Sequence, residues 1–214
     1  MTASNKDLAK IRWVKLKEYD LALSAREAGF DIAVYHYYKP AAQKLVKNQT
    51  TNMAIEFLKE EYEELTGQSL LDVKNGVYVI RLASNFSIRY PKGVSPIVYI
   101  GRGDVNGRIK NHFRNKLFPL MESLTGATFD FWITNPKRGG KGRTAQDYHK
   151  QLEYNLLKRF WEKYGDDENK YPLLNKIKGD DCGYELGPNW DKPLKGDSRR
   201  HAWILEPTKH LKIS

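Results

Sequence analysis

Two short segments rich in β-branched and aromatic residues, "GVYVIRLA" and "IVYIG", restrict the possible folds more than any other feature of this chain. They begin at Gly76 and Ile97, and each is bounded by Gly, Pro, Ser or Asn, which is typical of β-strands. The link between them contains Pro91, Gly93 and Pro96. The sequence therefore predicts an antiparallel strand pair joined by a long loop.

Three further elements follow this pair. A helix is predicted to begin near Asp104, whose carboxylate can cap exposed backbone N–H groups, and to continue through "VNGRIKNHFRNKLF". A third strand is predicted in "ATFDFWIT", where apolar and polar residues alternate. The segment "TAQDYHKQLEYNLLKRFWEKY" has apolar residues every three or four positions and predicts a long amphipathic helix. Together these elements predict a mixed α/β (α+β) domain.

The first seventy residues show helical spacing instead, from Leu8 to Leu23 and again from Pro40 to a stop at Gly67. We therefore divide the chain into a helical extension over residues 1–70, a mixed domain over 71–178, and a basic C-terminal tail over 179–214 that packs on the domain. One strand is predicted in the tail, in "HAWILEP".

The charge distribution indicates a polyanionic partner. The net charge is +10, and residues 1–70 contribute none of it because they hold ten basic and ten acidic residues. A basic excess confined to the remainder favours nucleic acid, with general solubility as the alternative. The single cysteine, Cys182, excludes an internal disulfide and any Cys-based zinc site. With no apolar run of eighteen residues, we expect a cytoplasmic protein that does not enter a membrane.

Four residues near the predicted strand pair suggest phosphodiester chemistry. Arg108 and His112 are four apart and share one helix face, where a guanidinium can hold phosphate oxygens and an imidazole can move a proton. Tyr78 and Tyr99 can face the same side of the strand pair. From these residues alone, a solvated helix face and packed tyrosines remain open as alternatives.

The triplets "GVY" at 76–78 and "YIG" at 99–101 resemble the two namesake motifs of the GIY-YIG nucleases, with Val77 in place of the usual Ile. The resemblance continues through Arg108 and His112, through Glu153 in "QLEYNLLKRF", and to Asn175 in "PLLN". It covers residues 75–176, and its elements come in the order of that family.

The resemblance implies a three-stranded antiparallel sheet flanked by helices and a divalent-metal-dependent endonuclease. It implies one Mg²⁺ or Mn²⁺ ion per active site, with Glu153 as its protein ligand. Tyr78 corresponds to the general base, for which Arg108 and the metal should lower the tyrosine pKa, although His112 remains an alternative base. Tyr99 and His112 would orient the water or stabilise the charge that builds on the phosphate, and Arg108 would hold its nonbridging oxygens. Asn175 would hold the site together by hydrogen bonds.

Cations around this site are candidate nucleic-acid contacts. They are Arg102, Lys110 and Arg114, and, in the loop "KRGGKGR", Lys137, Arg138, Lys141 and Arg143. DNA is the expected partner, with RNA left open, and cutting both strands would take two sequential cuts or a homodimer. A prokaryotic or phage restriction or defence nuclease fits this self-contained chain; a homing or repair nuclease and an inactive nucleic-acid-binding protein are the alternatives.

Overall fold

The computed structural model describes residues 10–83, 86–124, 128–136, 146–167, 171–175, 179–195 and 203–206. The strands, in chain order, are β1 (Val14–Asp20), β2 (Gly76–Leu82), β3 (Phe86–Tyr90), β4 (Gly93–Ser95), β5 (Ile97–Gly103), β6 (Thr128–Thr134) and β7 (Trp203–Leu205). The α-helices are α1 (Leu21–Glu27), α2 (Pro40–Thr66), α3 (Val105–His112), α4 (Phe118–Ser123) and α5 (Gln146–Tyr164). Antiparallel strands combined with helices confirm the mixed α/β class.

The main sheet has the strand order β1-β6-β2-β5, and every neighbouring pair in it is antiparallel. Strand β2 is central and every one of its seven residues is buried, because helices cover both faces of the sheet. The predicted pairing of β2 with β5 is confirmed, and so is the strand at β6.

The sheet has four strands among the described residues, and the expectation of three is wrong because β1 joins it. The helical prediction for residues 14–20 is wrong for the same reason. Strand β1 pairs with β6, and its register shifts between Leu16 and Tyr19, so these two residues both point into the core although they are three apart. Because of that spacing, the strand does not show the two-residue period by which strands are usually predicted.

The long helix α2 in the N-terminal region is as predicted. It begins with Pro40 in its first turn and ends before Gly67, which is left-handed at φ 66°. It packs against α1, β1 and α3. The N-terminal region therefore contributes one strand to the main sheet and one long helix to its cover.

The connection between β2 and β5 contains structure that the sequence did not predict. Strands β3 and β4 form a small antiparallel hairpin that turns at Pro91 and Lys92. Strand β7 from the C-terminal region, which was predicted, pairs in parallel with β3 to complete a second sheet. Trp13 also donates its indole N–H to the carbonyl of Trp190, so the N-terminal region contacts the segment 179–195.

Helix α3 starts after Asp104 as predicted, but the Asp104 side chain forms no cap hydrogen bond. Its carboxylate lies 3.5 Å from the Lys74 ammonium instead. The helix continues into one π-helical turn, Phe113–Leu117, and then into α4. A π-turn is an uncommon insertion that often lies at functional sites. None of the helices in the described ranges is both long and apolar enough to cross a bilayer.

Candidate active site

The register of the central strands brings the two motif tyrosines together. Tyr78 is opposite Gly101, and Tyr99 is opposite Ile80, so both tyrosines are on one face of the sheet at diagonal positions. Their rings are nearly parallel, with centroids 5.9 Å apart. Tyr78 is fully buried and Tyr99 is half-buried. The prediction that they share one face is confirmed, but the Tyr78 hydroxyl does not project into solvent.

Gly101 makes this arrangement sterically possible. A Cβ atom at Gly101 would lie 2.5 Å from Cε1 of Tyr99 and 2.6 Å from the Tyr78 hydroxyl oxygen. Both distances are too short for real carbon contacts, so any side chain there would displace a tyrosine. Gly76 allows a close approach at the same end of the strand pair, where a Cβ would lie 2.5 Å from Cγ2 of Val105 in α3.

His112 connects the tyrosines to helix α3. Its Nε2 lies 2.7 Å from the Tyr78 hydroxyl oxygen, and its ring centroid is 4.2 Å from that of Tyr99. Its Nδ1 is buried and has no hydrogen-bond partner in the described part of the chain. A buried N–H without an acceptor is rarer than a bare lone pair, so the imidazole proton belongs on Nε2. His112 then donates to Tyr78.

The Tyr78 and Tyr99 rings stack, and the two hydroxyls are close enough for each to shift the pKa of the other. Because Tyr78 accepts from His112, its own proton is free to go to Tyr99. A hydrogen-bond chain can therefore run from His112 through Tyr78 to Tyr99, and its accepting end is the hydroxyl closest to solvent. The direction of hydrogen-bond donation from His112 toward Tyr99 could not be predicted from the sequence.

Burial controls the protonation of these groups. Burial raises the pKa of Tyr78 well above its usual value, and the nearby Arg108 charge opposes this rise without overcoming it. The expected lowering by Arg108 is present, but the groups of the protein alone do not bring the Tyr78 pKa below its usual value. Burial, aided by the Lys116 and Arg108 charges, lowers the pKa of His112 to about 3, so its imidazole is neutral at pH 7. Burial also raises the pKa of Tyr99.

Arg108 lies on the same face of α3 as His112, one turn earlier, and its side chain is exposed. It forms no hydrogen bond or ion pair with any residue that the structure describes. Its charge nevertheless acts on Tyr78, Tyr99 and Glu153, which fixes its guanidinium near all three. An exposed guanidinium beside buried polar groups is available to bind an anion.

Glu153 reaches the same region from helix α5, which packs on β5 and β2. Its side chain is 14% exposed, and its Oε2 lies 2.7 Å from Nε of Arg102. Burial raises the pKa of Glu153, while the Arg102 guanidinium is the main opposing influence. Arg102 also contacts Asp180, with 2.7 Å between its Nη2 and the carboxylate Oδ2. Arg102, predicted as a nucleic-acid contact, is thus held between two carboxylates.

Asn175 holds the outer edge of strand β5. Its Oδ1 accepts from the backbone N–H of Ile100 at 2.9 Å, and its Nδ2 donates to the carbonyl of Ile100 at 2.7 Å. The amide thereby satisfies one residue of an edge strand as a neighbouring strand would. Ile100 separates Tyr99 from Gly101, so this contact fixes the strand where the site is built.

None of the other cations that were predicted to contact nucleic acid is seen on the helix face of Arg108 and His112 in the described part of the chain. Lys110 and Arg114 are each two residues from His112, so they are not on the helix face that carries Arg108 and His112. Lys137, Arg138, Lys141 and Arg143 lie outside the described residues.

Whether the site fits a divalent metal depends on which side chains can donate an electron pair to the ion. Within the described ranges, no three His, Cys, Asp or Glu side chains are close enough to enclose an ion. Mg²⁺ does not need such a cage, since it keeps several waters and often uses one or two carboxylates with substrate phosphates. The half-buried Glu153 carboxylate fits that requirement, provided that Arg102 releases it.

Two residues beside the site were not assigned a place in it from the sequence. The Lys116 ammonium lies 4.2 Å from the centroid of the Tyr99 ring and donates to the carbonyl of Leu174 at 2.7 Å. Lys116 follows His112 by four residues, as His112 follows Arg108, so extending that spacing by one step would have found it. Asp180 had no comparable signal, because it is 27 residues beyond Glu153 in a segment without periodicity.

Comparison of the chain with profiles of known protein families, with curated proteins and with solved structures finds no significant match.

Proposed function

We propose that this protein is a divalent-metal-dependent endonuclease that hydrolyses phosphodiester bonds of DNA. The observation that carries the proposal is the buried hydrogen bond between Tyr78 and His112. Tyr99 lies next to this bond, beside the exposed Arg108 and the Glu153 carboxylate. Burying such polar groups is costly, and packing alone does not require them. This combination of hydroxyl, guanidinium and carboxylate groups suits a phosphate ester.

Each residue has a distinct role in the proposal. The Arg108 guanidinium binds nonbridging phosphate oxygens, for which its planar fork is well shaped. The attacking water meets the hydroxyl of Tyr99, at the accepting end of the chain. Tyr78 and His112 donate along that chain and stabilise the Tyr99 tyrosinate, which forms when Tyr99 releases its own proton to solvent and which then takes the water proton. The water oxygen bonds to phosphorus as the bond to the 3′ oxygen breaks, and the 3′ oxygen takes a proton from solvent, leaving a 5′-phosphate and a 3′-hydroxyl.

Glu153 would hold a Mg²⁺ or Mn²⁺ ion, and such an ion supplies charge neutralisation at the phosphate when it is bound. The negative charge of Glu153 is one of the causes that raise the pKa of Tyr99. Neutralising that charge would therefore lower the pKa of Tyr99 and favour its tyrosinate, the form that can accept the water proton.

The test is cleavage of supercoiled plasmid with and without Mg²⁺ by the natural protein and by Glu153→Ala. The matched control is Glu162→Ala, on the same helix, where the carboxylate is 44% exposed and only pairs with Arg159 on the surface. We expect metal-dependent nicking by the natural protein and by the control, and none by Glu153→Ala. Intact plasmid with the natural protein across several divalent metals would refute the proposal.

A protein that binds DNA without cutting it is the competing function, and the same experiment separates the two. The pairing of Glu153 with Arg102 is the observation in its favour, because that ion pair occupies the proposed metal ligand. Retarded plasmid migration without nicking, unaltered in Glu153→Ala, would support binding alone.

A further inference from the structure

The guanidinium of Arg102 lies between two carboxylates that come from distant parts of the chain. Its Nε contacts Oε2 of Glu153, and its Nη2 contacts Oδ2 of Asp180, both at 2.7 Å. Arg102 is 24% exposed, Glu153 is 14% exposed and Asp180 is 63% exposed. One cation is therefore shared by an inner carboxylate at the proposed active site and an outer carboxylate that faces solvent.

The segment that carries the Asp180 carboxylate is attached to helix α5 by hydrogen bonds. Gln151, which is only 3% exposed, lies two residues before Glu153 on α5. Its Oε1 accepts from the backbone N–H groups of Cys182 at 2.7 Å and Tyr184 at 3.2 Å. Its Nε2 donates to Oδ1 of Asp181 at 3.1 Å. A buried glutamine therefore ties the segment 179–184 to the helix that carries Glu153.

Close packing reinforces this attachment at the start of the segment. A Cβ atom at Gly179 would lie 2.8 Å from Cα of Tyr154, so the backbone of Gly179 rests directly on α5. Tyr184 continues the contact, with its ring centroid 5.1 Å from that of Tyr148. Asp180 is thus presented to Arg102 by a fixed backbone.

The charge balance suggests what this contact does. While Arg102 pairs with Glu153, a divalent cation must displace a guanidinium from that carboxylate. With Asp180 present, Arg102 keeps one ion pair after it leaves Glu153; without Asp180, the guanidinium would have no acidic partner except Glu153 among the described residues. The outer carboxylate therefore lowers the cost of freeing the inner one.

We propose that Asp180 is a positioning residue that draws Arg102 away from Glu153 and so allows Glu153 to bind a divalent cation. This inference rests on the proposed function, because it assumes that Glu153 is the metal ligand. It extends that function to the segment 179–184, which regulates the affinity of the site for metal.

The test is Mn²⁺ binding to the full-length protein without DNA, followed by electron paramagnetic resonance of the free ion. Partners that orient metal ligands typically change metal affinity by about 10- to 100-fold when they are removed, and we expect a loss of that size for Asp180→Asn. Asp180→Glu should restore binding. Asp181→Asn is the matched control: it removes a neighbouring charge but keeps an oxygen for Gln151 and for the N–H of Gly183, and it should bind as the natural protein does.

A double-mutant cycle with Arg102→Gln tests the route of the effect. If Asp180 acts through Arg102, Asp180→Asn changes affinity at least tenfold less in the Arg102→Gln background than in the natural protein. An undiminished effect in that background would show that Asp180 contacts the ion directly, and it would overturn the proposal.

The outcomes for the two proposals are separable. Glu153-dependent Mn²⁺ binding that is weakened in Asp180→Asn, in a protein that cuts no DNA, would support the positioning role and refute the nuclease. Metal-dependent cutting with equal Mn²⁺ affinity in Asp180→Asn and the natural protein would refute the positioning role alone.

Discussion

Replacing Gly101 by alanine tests whether the two tyrosines are packed as tightly as the structure shows. The added Cβ would lie 2.5 Å from Cε1 of Tyr99 and 2.6 Å from the hydroxyl oxygen of Tyr78. Tyr78 is fully buried and has no room to retreat. Overpacking of this kind costs about 1–3 kcal/mol, and losing the Tyr78–His112 hydrogen bond adds about 1 kcal/mol. We therefore expect Gly101→Ala to lower the free energy of unfolding by about 2–4 kcal/mol.

The assay is urea unfolding at pH 7, with Gly93→Ala in strand β4 as the matched control. At Gly93 the nearest atom to an added Cβ is Cδ1 of Tyr164, at an ordinary contact distance of 3.6 Å. Neither glycine has a positive φ, so alanine is not strained by the backbone at either position. The control should lose nothing and can gain about 0.4–1 kcal/mol from a less flexible unfolded chain. Equal stability of the two variants would refute the packing described for Tyr78 and Tyr99.

Two further predictions concern His112 and Asn175. The pKa of His112 falls from 6.5 in the unfolded chain to about 3 in the folded protein, so its contribution to stability is complete above pH 6.5 and is lost as the pH falls toward 3. Urea unfolding between pH 6.5 and 5 should show a loss approaching 1.4 kcal/mol per pH unit that is absent in His112→Phe; parallel pH profiles would contradict the burial of a neutral imidazole. Asn175→Ala should cost about 1–3 kcal/mol and speed amide exchange at Ile100, whereas unchanged exchange would contradict the edge contact.

The local elements of the fold could largely be predicted from the sequence. Strands β2, β5 and β6 and helices α2 and α5 follow from periodicity and from turn residues such as Pro40 and Gly67. Strand β1 could not be predicted, because its bulge places Leu16 and Tyr19 inward at a spacing of three and hides the two-residue period. The hairpin of β3 and β4 was obscured by Pro91 and Gly93, which mark its turn as strongly as they would mark a loop.

The candidate site was predictable in its membership but not in its electrostatics. The same-face tyrosines and the helix face of Arg108 and His112 follow from strand and helix periods. The burial that raises the pKa of Tyr78 and lowers that of His112 depends on tertiary packing, which no local pattern encodes. The two ion pairs of Arg102 bring Glu153 and Asp180 together although they are 27 residues apart in the sequence. Such a contact can be seen only in the folded chain.

The most direct test of the central claim is the rate of plasmid cleavage by Tyr78→Phe, which removes one hydroxyl and keeps the buried ring. The control is Tyr19→Phe, which also removes a hydroxyl from a buried tyrosine, but one that donates to Glu61 away from the site. If donation from His112 through Tyr78 stabilises Tyr99 as the base, Tyr78→Phe should cut at least about 10²-fold more slowly while binding DNA normally, and Tyr19→Phe should cut at the natural rate. Equal cleavage rates for Tyr78→Phe and the natural protein would contradict the account.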